Sequence, residues 1–178
     1  MSDRFRLLFF AFALISAVAH AQPAAVRSVA GVDLARYAGT WYEIAAFPMF
    51  FQRQCIGDTT ARYTLRSDGD IDVYNRCRTD SGFDDALGKA WTVAGSGRAQ
   101  LKVSVFWPFR ADYWVIGLDD DYRWAVVGNP NRKYLWVLSR TPRLPAEQLD
   151  RALQAAAAQG FDLAQLKTTR HGPTPAGP

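Results

Sequence analysis

Side chains that carry nucleophilic or acid–base chemistry are scarce in this sequence. Among its 178 residues there are two histidines, His20 and His171, and two cysteines, Cys55 and Cys77. The sequence contains no Gly-x-Ser-x-Gly elbow, phosphate-binding loop or dinucleotide-binding glycine pattern. Because nucleophilic and acid–base catalysis usually depends on such groups, the sequence indicates a protein that is not an enzyme.

Ligands for a metal ion are equally sparse. Zinc sites usually take four protein or solvent ligands, and His20 belongs to the N-terminal leader described below, which leaves His171 as the only histidine. The acidic run Asp119–Asp121 is interpreted as a solvated turn, since an EF-hand loop needs spaced oxygen ligands and a distal Glu. We therefore expect no metal ion and no cofactor, and the lack of inward His or Cys disfavours haem.

The sequence has no apolar run long enough to span a membrane. The apolar stretch Leu7–Val18 has twelve residues, short of the ~20 that a bilayer needs. It follows the basic residues Arg4 and Arg6 and precedes the Ala-x-Ala motif of Ala19–Ala21. This order predicts a secretory signal peptide over residues 1–21, cleaved before Gln22.

The chain also lacks a basic cluster. Removing the leader takes away Asp3, Arg4 and Arg6, which reduces 21 basic and 17 acidic side chains to 19 and 16. The remaining basic groups are spread along the chain, so we expect no nucleic-acid partner. A mild positive charge is compatible with transient contact with an anionic membrane surface.

Short β-rich runs make up most of the sequence after the leader. Asp33 caps a helical turn that leads into an extended segment from Gly39 to Pro48. Turn clusters then separate seven further runs, which are Thr59–Leu65, Ile71–Cys77, Gly88–Val93, Ala99–Phe106, Tyr113–Leu118, Arg123–Val127 and Tyr134–Ser139. The polar segment Arg78–Leu87 is predicted to be a loop.

Eight evenly spaced strands predict an all-β fold, an eight-stranded up-and-down antiparallel barrel. One helix is predicted over Pro145–Gln159, with Gly160 as its stop, and it would lie outside the barrel. The barrel and helix would occupy residues 32–170. Residues 22–31 are expected to be a flexible segment and residues 171–178 a disordered tail.

The two cysteines favour a disulfide, because an exported chain meets an oxidising compartment. Counting outward from the turn at Ser67–Asp70, Cys77 lies opposite about Thr60. Cys55 must therefore fold back over the barrel mouth to reach Cys77, and the free-thiol alternative stays open.

Several segments in register resemble the lipocalin family, in particular its bacterial outer-membrane lipoprotein branch, related to apolipoprotein D. The first is Gly39-Thr40-Trp41-Tyr42-Glu43-Ile44-Ala45. The others are Phe51–Arg53, Ala61–Leu65, Leu101–Phe106, Asp112–Ile116 and Tyr134–Pro142. The resemblance extends from Val32 to Thr169.

The resemblance implies a barrel that binds an apolar ligand, with Trp41 pointing inward at its closed end. Alternation from Trp41 keeps Ala45 and Phe47 on the same face, and alignment of the other motifs with the family implies the rest of the ligand-facing set. The full set is apolar and aromatic with a few polar groups: Ala45, Phe47, Phe51, Tyr63, Val73, Asn75, Val103, Val105, Tyr113, Val115, Tyr134 and Trp136. From the residues alone, a core filled by these side chains remains the alternative.

The resemblance also implies a structural pair at the closed end. In the family, the Arg of the last-strand Ser-Arg motif packs across the Trp of the first strand, which here pairs Arg140 with Trp41. Such a cation–π contact contributes roughly 0.5 to 2 kcal/mol. Glu43 would be inward as well, as a buried acid that needs a hydrogen-bond donor.

The segment Phe47–Phe51 carries four large apolar side chains after the first strand. Such a loop is costly to leave in water. It would cover the barrel mouth, touch a membrane or hold a second subunit, so both a monomer and a homodimer are open.

The expected location is the periplasm of a bacterial cell envelope, as an exported soluble protein. The lipoproteins that the chain resembles attach lipid to a Cys at the cleavage site, and this sequence has no Cys before Cys55. Association with the outer membrane would then need another contact.

The resulting prediction is non-covalent binding, storage or transport of a lipid such as a fatty acid or lysophospholipid. Two alternatives remain: a protein-binding or dimerisation module that uses Phe47–Phe51, and an enzyme on the same scaffold that uses a free thiol.

Overall fold

A computed structural model describes residues 24–105 and 108–172. The predicted signal peptide, residues 1–21, and residues 173–178 of the predicted tail lie outside the described residues. So does Phe106, the last residue of one predicted strand.

The described chain forms a closed antiparallel barrel. Its strands are β1 (Gly39–Ala46), β2 (Gly57–Leu65), β3 (Ile71–Thr79), β4 (Gly82–Thr92), β5 (Gln100–Ser104), β6 (Ala111–Leu118), β7 (Trp124–Gly128), β8 (Leu135–Ser139) and the short β9 (Lys167–Thr168). Each of the strands β1 to β7 pairs with the next, β8 closes the barrel by pairing with β1, and β9 also pairs with β1. The predicted eight-stranded up-and-down barrel is confirmed.

Within the described residues, two α-helices accompany the strands. The helix α1 (Leu34–Tyr37) begins at Asp33, whose side chain accepts hydrogen bonds from the backbone N–H groups of Ala35 and Arg36. The helix α2 (Ala146–Ala158) lies outside the barrel against β6 and β7. Its close approach depends on Gly117, where a Cβ would lie 2.9 Å from the Cβ of Ala155.

Strand alternation divides the buried side chains into two clusters. We call the one inside the barrel the interior cluster; it includes Trp41, Tyr63, Val73, Leu101, Val115, Val127 and Leu138. We call the one between the barrel wall and α2 the outer cluster; it includes Ile44, Phe47, Ile116, Val126, Val137, Ala156 and Phe161. Because successive residues of a strand point to opposite faces, one barrel wall supplies both clusters.

The prediction of a loop over Arg78–Leu87 is wrong. β3 and β4 pair without a break from Ile71 and Ala90 to Thr79 and Gly82. The polar composition of this segment reflects its place at the rim, where Phe83 and Leu87 are 51% and 73% exposed and water reaches the strand. Strand pairing needs only backbone groups, so it tolerates the Asp-rich sequence.

Two predictions about the chain ends are also wrong where the structure describes them. Residues 24–31 pack on the barrel: the N–H of Val29 donates to the carbonyl of Val115, at 2.9 Å, and Val26 is buried in the outer cluster. His171 packs edge-on against Tyr42, with ring centroids 5.5 Å apart. Both segments are anchored by residues distant in the sequence, which local composition does not reveal.

Candidate ligand-binding site

The closed end of the barrel is built around Trp41. Its indole is fully buried, and its N–H donates to the carbonyl of Tyr37 at 2.8 Å. The guanidinium carbon of Arg140 lies 3.8 Å from the Trp41 ring centroid, in the arrangement that the family resemblance implied. Arg140 also donates to the carbonyls of Arg36 and Thr40, at 2.5 and 3.0 Å, and so ties α1 and β1 together across the floor.

Three tyrosines meet just above this floor. The hydroxyl of Tyr113 lies 2.8 Å from that of Tyr37 and 2.9 Å from that of Tyr63. Burial raises the pKa of Tyr63 to about 12 and raises the pKa values of Tyr37 and Tyr113 well above 10.0. All three hydroxyls are therefore neutral at physiological pH and form a small polar group within an apolar interior.

The register of the strands places most of the predicted lining residues inside. Directly paired residues of neighbouring strands share a face, and their pairs include Tyr63 with Val73, Leu101 with Tyr113, and Val127 with both Val115 and Trp136. Asn75 pairs with Ala61, and Val103 pairs with Ala90. Because Ala90 belongs to the interior cluster and Ala61 packs against it, Asn75 and Val103 face the interior as well.

The interior is packed at the floor and open toward the mouth. Val115 and Val127 are fully buried and Leu101 is 4% exposed. Val103 and Trp136 point to the same interior yet keep exposed surface, as do Asn75 and Tyr113. A filled core would bury these side chains as fully as those below them. The exposure therefore marks an open calyx in the mouth half of the barrel.

The prediction that Ala45 and Phe47 line the interior is wrong. A β-bulge between Glu43 and Ala45 shifts the register of β1 against β8 by one residue. Ala45 and Phe47 therefore join the outer cluster, and Phe47 packs near Phe161 with ring centroids 6.2 Å apart. Ala46, opposite Trp136, is the inward residue instead.

An aromatic row rises from the interior to the mouth. Trp136 lies 6.0 Å from Tyr134, and Tyr134 lies 5.8 Å from Phe51, measured between ring centroids. Phe51 is 41% exposed and Phe50 is 69% exposed. The predicted lining residues Phe51 and Tyr134 thus stand at the entrance. Val105 follows the end of β5 at the same rim, half-buried, within 3.1 Å of a Cβ built at Gly88.

A disulfide between Cys55 and Cys77 anchors the segment that connects β1 to β2. The two Cα atoms are 5.5 Å apart. Cys77 sits near the open end of β3, so the disulfide holds the segment containing Phe50 and Phe51 beside the mouth. Neither sulfur is a free thiol in this form.

A cavity of about 310 Å³ lies where β1 and β2 separate. The two strands pair only from Gly39 to Tyr42 along β1, and beyond that point β9 pairs with β1 instead. Glu43 lines this cavity and is 7% exposed. Its carboxylate accepts hydrogen bonds from the hydroxyl of Thr169, at 2.5 Å, and from the amide of Gln52, at 3.2 Å.

Sequence reasoning placed Glu43 inward but could not name these donors. β9 is two residues long and carries no hydrophobic pattern, so no local signal predicts that Thr169 reaches β1. Burial raises the pKa of Glu43, while the hydrogen bonds from Thr169 and Gln52 act in the opposite direction.

Other site types find no support in the described part of the chain. Residues 24–105 and 108–172 contain no group of three or more His, Cys, Asp or Glu side chains placed to hold a metal ion. The same residues include no helix with the length and apolar character needed to cross a bilayer. The run Asp119–Asp121 forms a turn in which the Asp119 carboxylate accepts from Arg123, at 2.8 Å.

Two solved structures illustrate how widely this architecture is shared. Insecticyanin from the tobacco hornworm Manduca sexta superimposes with a TM-score of 0.68 at 20% identity, over 83% of this chain and 85% of that chain. Lobster apocrustacyanin A1 gives a TM-score of 0.65 at 15% identity, over 84% and 92%. At these identities the likeness concerns the fold alone.

Comparison of sequences finds relatives at higher identity than these structures. The chain is 42% identical to the outer membrane lipoprotein Blc of Escherichia coli K12 over 158 residues, which cover 88% of this chain and 89% of that protein. It is 38% identical to temperature-induced lipocalin-1 of Arabidopsis thaliana, over 83% of each chain. Identity to apolipoprotein D of Macaca fascicularis is 32%, over 77% and 76%.

A family model described as a lipocalin-like domain matches residues 32–171. The match spans the barrel, helix α2 and the strand β9. The Trp41–Arg140 contact and the open calyx thus lie within the matched region. The chain belongs to the lipocalin family.

Proposed function

We propose that this protein binds one small hydrophobic ligand in its calyx, non-covalently and without chemical turnover. The observation that carries the proposal is the graded exposure of the interior, where inward apolar side chains such as Val103 and Trp136 keep accessible surface above a packed floor. Similarity to lipocalins of bacteria, plants and animals supports the same assignment.

The ligand class that fits best is a lipid with a single acyl chain, such as a fatty acid or lysophospholipid. The wall between Val73 and Trp136 is apolar and aromatic, and burial of a methylene contributes about 0.8 kcal/mol. Part of that free energy is offset by ordering of the chain and the mouth loops. The neutral hydroxyls of Tyr37, Tyr63 and Tyr113 form a polar group deep in this wall.

The proposed role is storage or transport of envelope lipids by an exported protein. The leader over residues 1–21 supports export, and the relative from E. coli is by name an outer membrane lipoprotein. The disulfide Cys55–Cys77 is suited to an oxidising compartment such as the periplasm.

Native mass spectrometry with organic extraction tests the proposal. Protein exported to a periplasm and purified without detergent should carry a fatty acid or lysophospholipid at about one per barrel. Protein that is empty and also fails to take up a fluorescent fatty acid would contradict lipid binding.

Matched variants locate the ligand. Trp136→Ala removes an inward side chain, whereas Leu87→Ala removes an outward one that is 73% exposed. Only the first should weaken fatty-acid binding, by roughly tenfold. Trp114 is a poorer control, since it points outward but packs in the outer cluster with its indole N–H buried.

Dimerisation through the mouth is a second candidate function, favoured by the exposed rings at that end. Phe50 and Phe109 are 69% and 77% exposed, and large apolar groups of this kind mark contact surfaces. Sedimentation of wild type against a Phe50→Ser, Phe51→Ser variant tests this candidate. A change from dimer to monomer would support it, and an unchanged monomer would contradict it.

In the disulfide-bonded form, neither Cys55 nor Cys77 has a free thiol that could act as a nucleophile, which argues against the alternative of a thiol enzyme. Thiol titration of native protein checks this point, because a reactive thiol would restore the alternative.

A further inference from the structure

The cavity beside β1 differs in chemistry from the calyx. The calyx wall is apolar, whereas the side cavity of about 310 Å³ is lined by Glu43, Gln52, Thr59, Thr169 and other polar residues together with Ala46, Met49 and Ile56. Ala46 lies opposite Trp136 on the inner face of the wall, and Glu43 lies opposite Leu138. The cavity therefore borders the barrel interior and opens next to the path that a bound acyl chain would follow.

Glu43 is the unusual group in this cavity. Its carboxylate is buried, and both side-chain hydrogen bonds that it accepts come from neutral groups, Thr169 and Gln52. Within residues 24–105 and 108–172, no Lys or Arg forms an ion pair with it. A buried carboxylate of this kind has lost its hydration and accepts no hydrogen bond from a charged donor, which leaves room for a cation to bind it.

The neighbouring basic residues do not replace that cation. Lys167 and Arg170 both line the cavity, but their side chains are exposed and neither forms an ion pair with Glu43. His171 contacts the backbone carbonyl of Glu43, at 2.7 Å, rather than its carboxylate. His171 acts on the Glu43 carboxylate only through space, in the direction that lowers its pKa, so a cation in direct contact with the carboxylate would have to come from the ligand.

We propose that Glu43 binds the ammonium group of an amphiphilic ligand whose hydrocarbon chain occupies the calyx. An ammonium donates up to three hydrogen bonds, and a carboxylate has room for acceptor contacts beyond the two that Thr169 and Gln52 occupy. Ala46 and Met49 supply an apolar path between the head group and the chain. This inference rests on the proposed function, since it places only the head group.

Competition among amphiphiles of equal chain length tests the inference. Wild-type protein is loaded with the fluorescent fatty acid cis-parinaric acid, which is then displaced at neutral pH by dodecylamine, 1-dodecanol or dodecanoic acid. Dodecylamine should displace the probe at a concentration roughly tenfold lower than 1-dodecanol, because a charge-assisted hydrogen bond is the difference between them. Glu43→Gln should abolish this preference, so that dodecylamine and 1-dodecanol displace the probe at similar concentrations.

The matched control is Glu147→Gln, which removes an exposed carboxylate on α2. It should leave the amine preference intact. Equal displacement by all three amphiphiles in wild type would overturn the head-group inference while the proposed function stands. Failure to take up cis-parinaric acid at all would overturn the proposed function itself.

A second variant keeps the test decisive if Glu43→Gln does not fold. Lys167→Gln removes an exposed cation from the cavity wall without touching the hydrogen bonds of Glu43. It should increase the preference for dodecylamine severalfold, because a repelling charge is lost. An unchanged or reduced preference would contradict the inference.

A further arm identifies the source of the ammonium group. Lauroyl lysophosphatidylethanolamine carries the same chain length with a phospholipid head. If it competes as well as dodecylamine and loses this advantage in Glu43→Gln, the result supports the inference with a phospholipid as ligand. If dodecylamine alone has the advantage, the result supports it with a simple amine.

Discussion

Arg140 contacts several groups at the floor of the barrel besides the indole of Trp41. Besides lying over the indole, its guanidinium donates to three backbone carbonyls, on Arg36, Thr40 and Tyr122. Burial lowers the pKa of Arg140, which is the expected direction for a cation partly removed from water. The residue therefore joins the first strand, α1 and the turn before β7.

Replacing Arg140 by Ala should lower the free energy of unfolding by about 2 to 4 kcal/mol, since it removes a cation–π contact of ~0.5 to 2 kcal/mol and orphans charge-assisted hydrogen bonds. Urea denaturation measures the loss. Arg143→Ala is the control, because Arg143 is exposed. A loss no larger than that of the control would show that Arg140 is not a structural residue.

The tyrosine group predicts how stability depends on alkaline pH. Burial raises the pKa of Tyr63 to about 12, and the pKa values of Tyr37 and Tyr113 lie well above 10.0. The unfolded chain ionises first, near pH 10.0. The stabilisation is therefore complete below pH 10.0 and lost as the pH rises through the folded pKa of about 12.

Urea denaturation across that pH range should show a falling free energy of unfolding in wild type. The decline should be shallower in Tyr63→Phe, which removes one of the three titrating groups. Tyr74→Phe, on the outer face of β3, is the matched control and should follow the wild type. A flat profile in wild type would refute the assignment of a buried, neutral cluster.

At the scale of elements, the bulge in β1 decides which residues meet the ligand. Simple alternation from Trp41 would place Phe47 inside, whereas the inserted residue turns it toward Phe161 and the outer cluster. Phe47 is therefore a packing residue between the barrel wall and the segment after α2.

Phe47→Ala should cost about 3 to 5 kcal/mol of stability, as for other large-to-small changes in a core. Protein that remains folded at low temperature should bind cis-parinaric acid with wild-type affinity. Trp136→Ala should show the reverse pattern, a smaller stability loss with weakened binding, because Trp136 faces the open half of the calyx. Equal loss of binding in both variants would favour the simple alternation over the bulge.

At the scale of the whole molecule, links between segments that are separated in the sequence hold the barrel together. The disulfide joins Cys55 to Cys77 across 22 positions, and the last described residues bind β1 and β2 through Thr169 and through Gly172, whose N–H donates to Asp58 at 2.7 Å. Both links lie near the open end, where the barrel has fewer packed side chains.

Removing the disulfide with Cys55→Ser and Cys77→Ser should lower the free energy of unfolding by about 3 kcal/mol, from the loop-closure entropy restored to the unfolded chain. Chemical reduction of wild type should give the same loss. Fatty-acid affinity should also fall, because ordering of the Phe50–Gln52 turn at the mouth would then oppose binding. If the free energy of unfolding is unchanged in both the double variant and the reduced wild type, the disulfide does not restrict the unfolded chain.

Local periods of hydrophobicity and turn residues are enough to predict the barrel, its eight strands and the outer helix. The family motifs added most of the inward residues and the contact of Trp41 with Arg140. Tertiary structure alone decided the β1 bulge, the strand β9, the extension of β3 and β4, and the donors to Glu43. The physical reason is that these features depend on pairing between distant segments: Thr169 and Glu43 are separated by 126 positions, and nothing in either local sequence encodes the other.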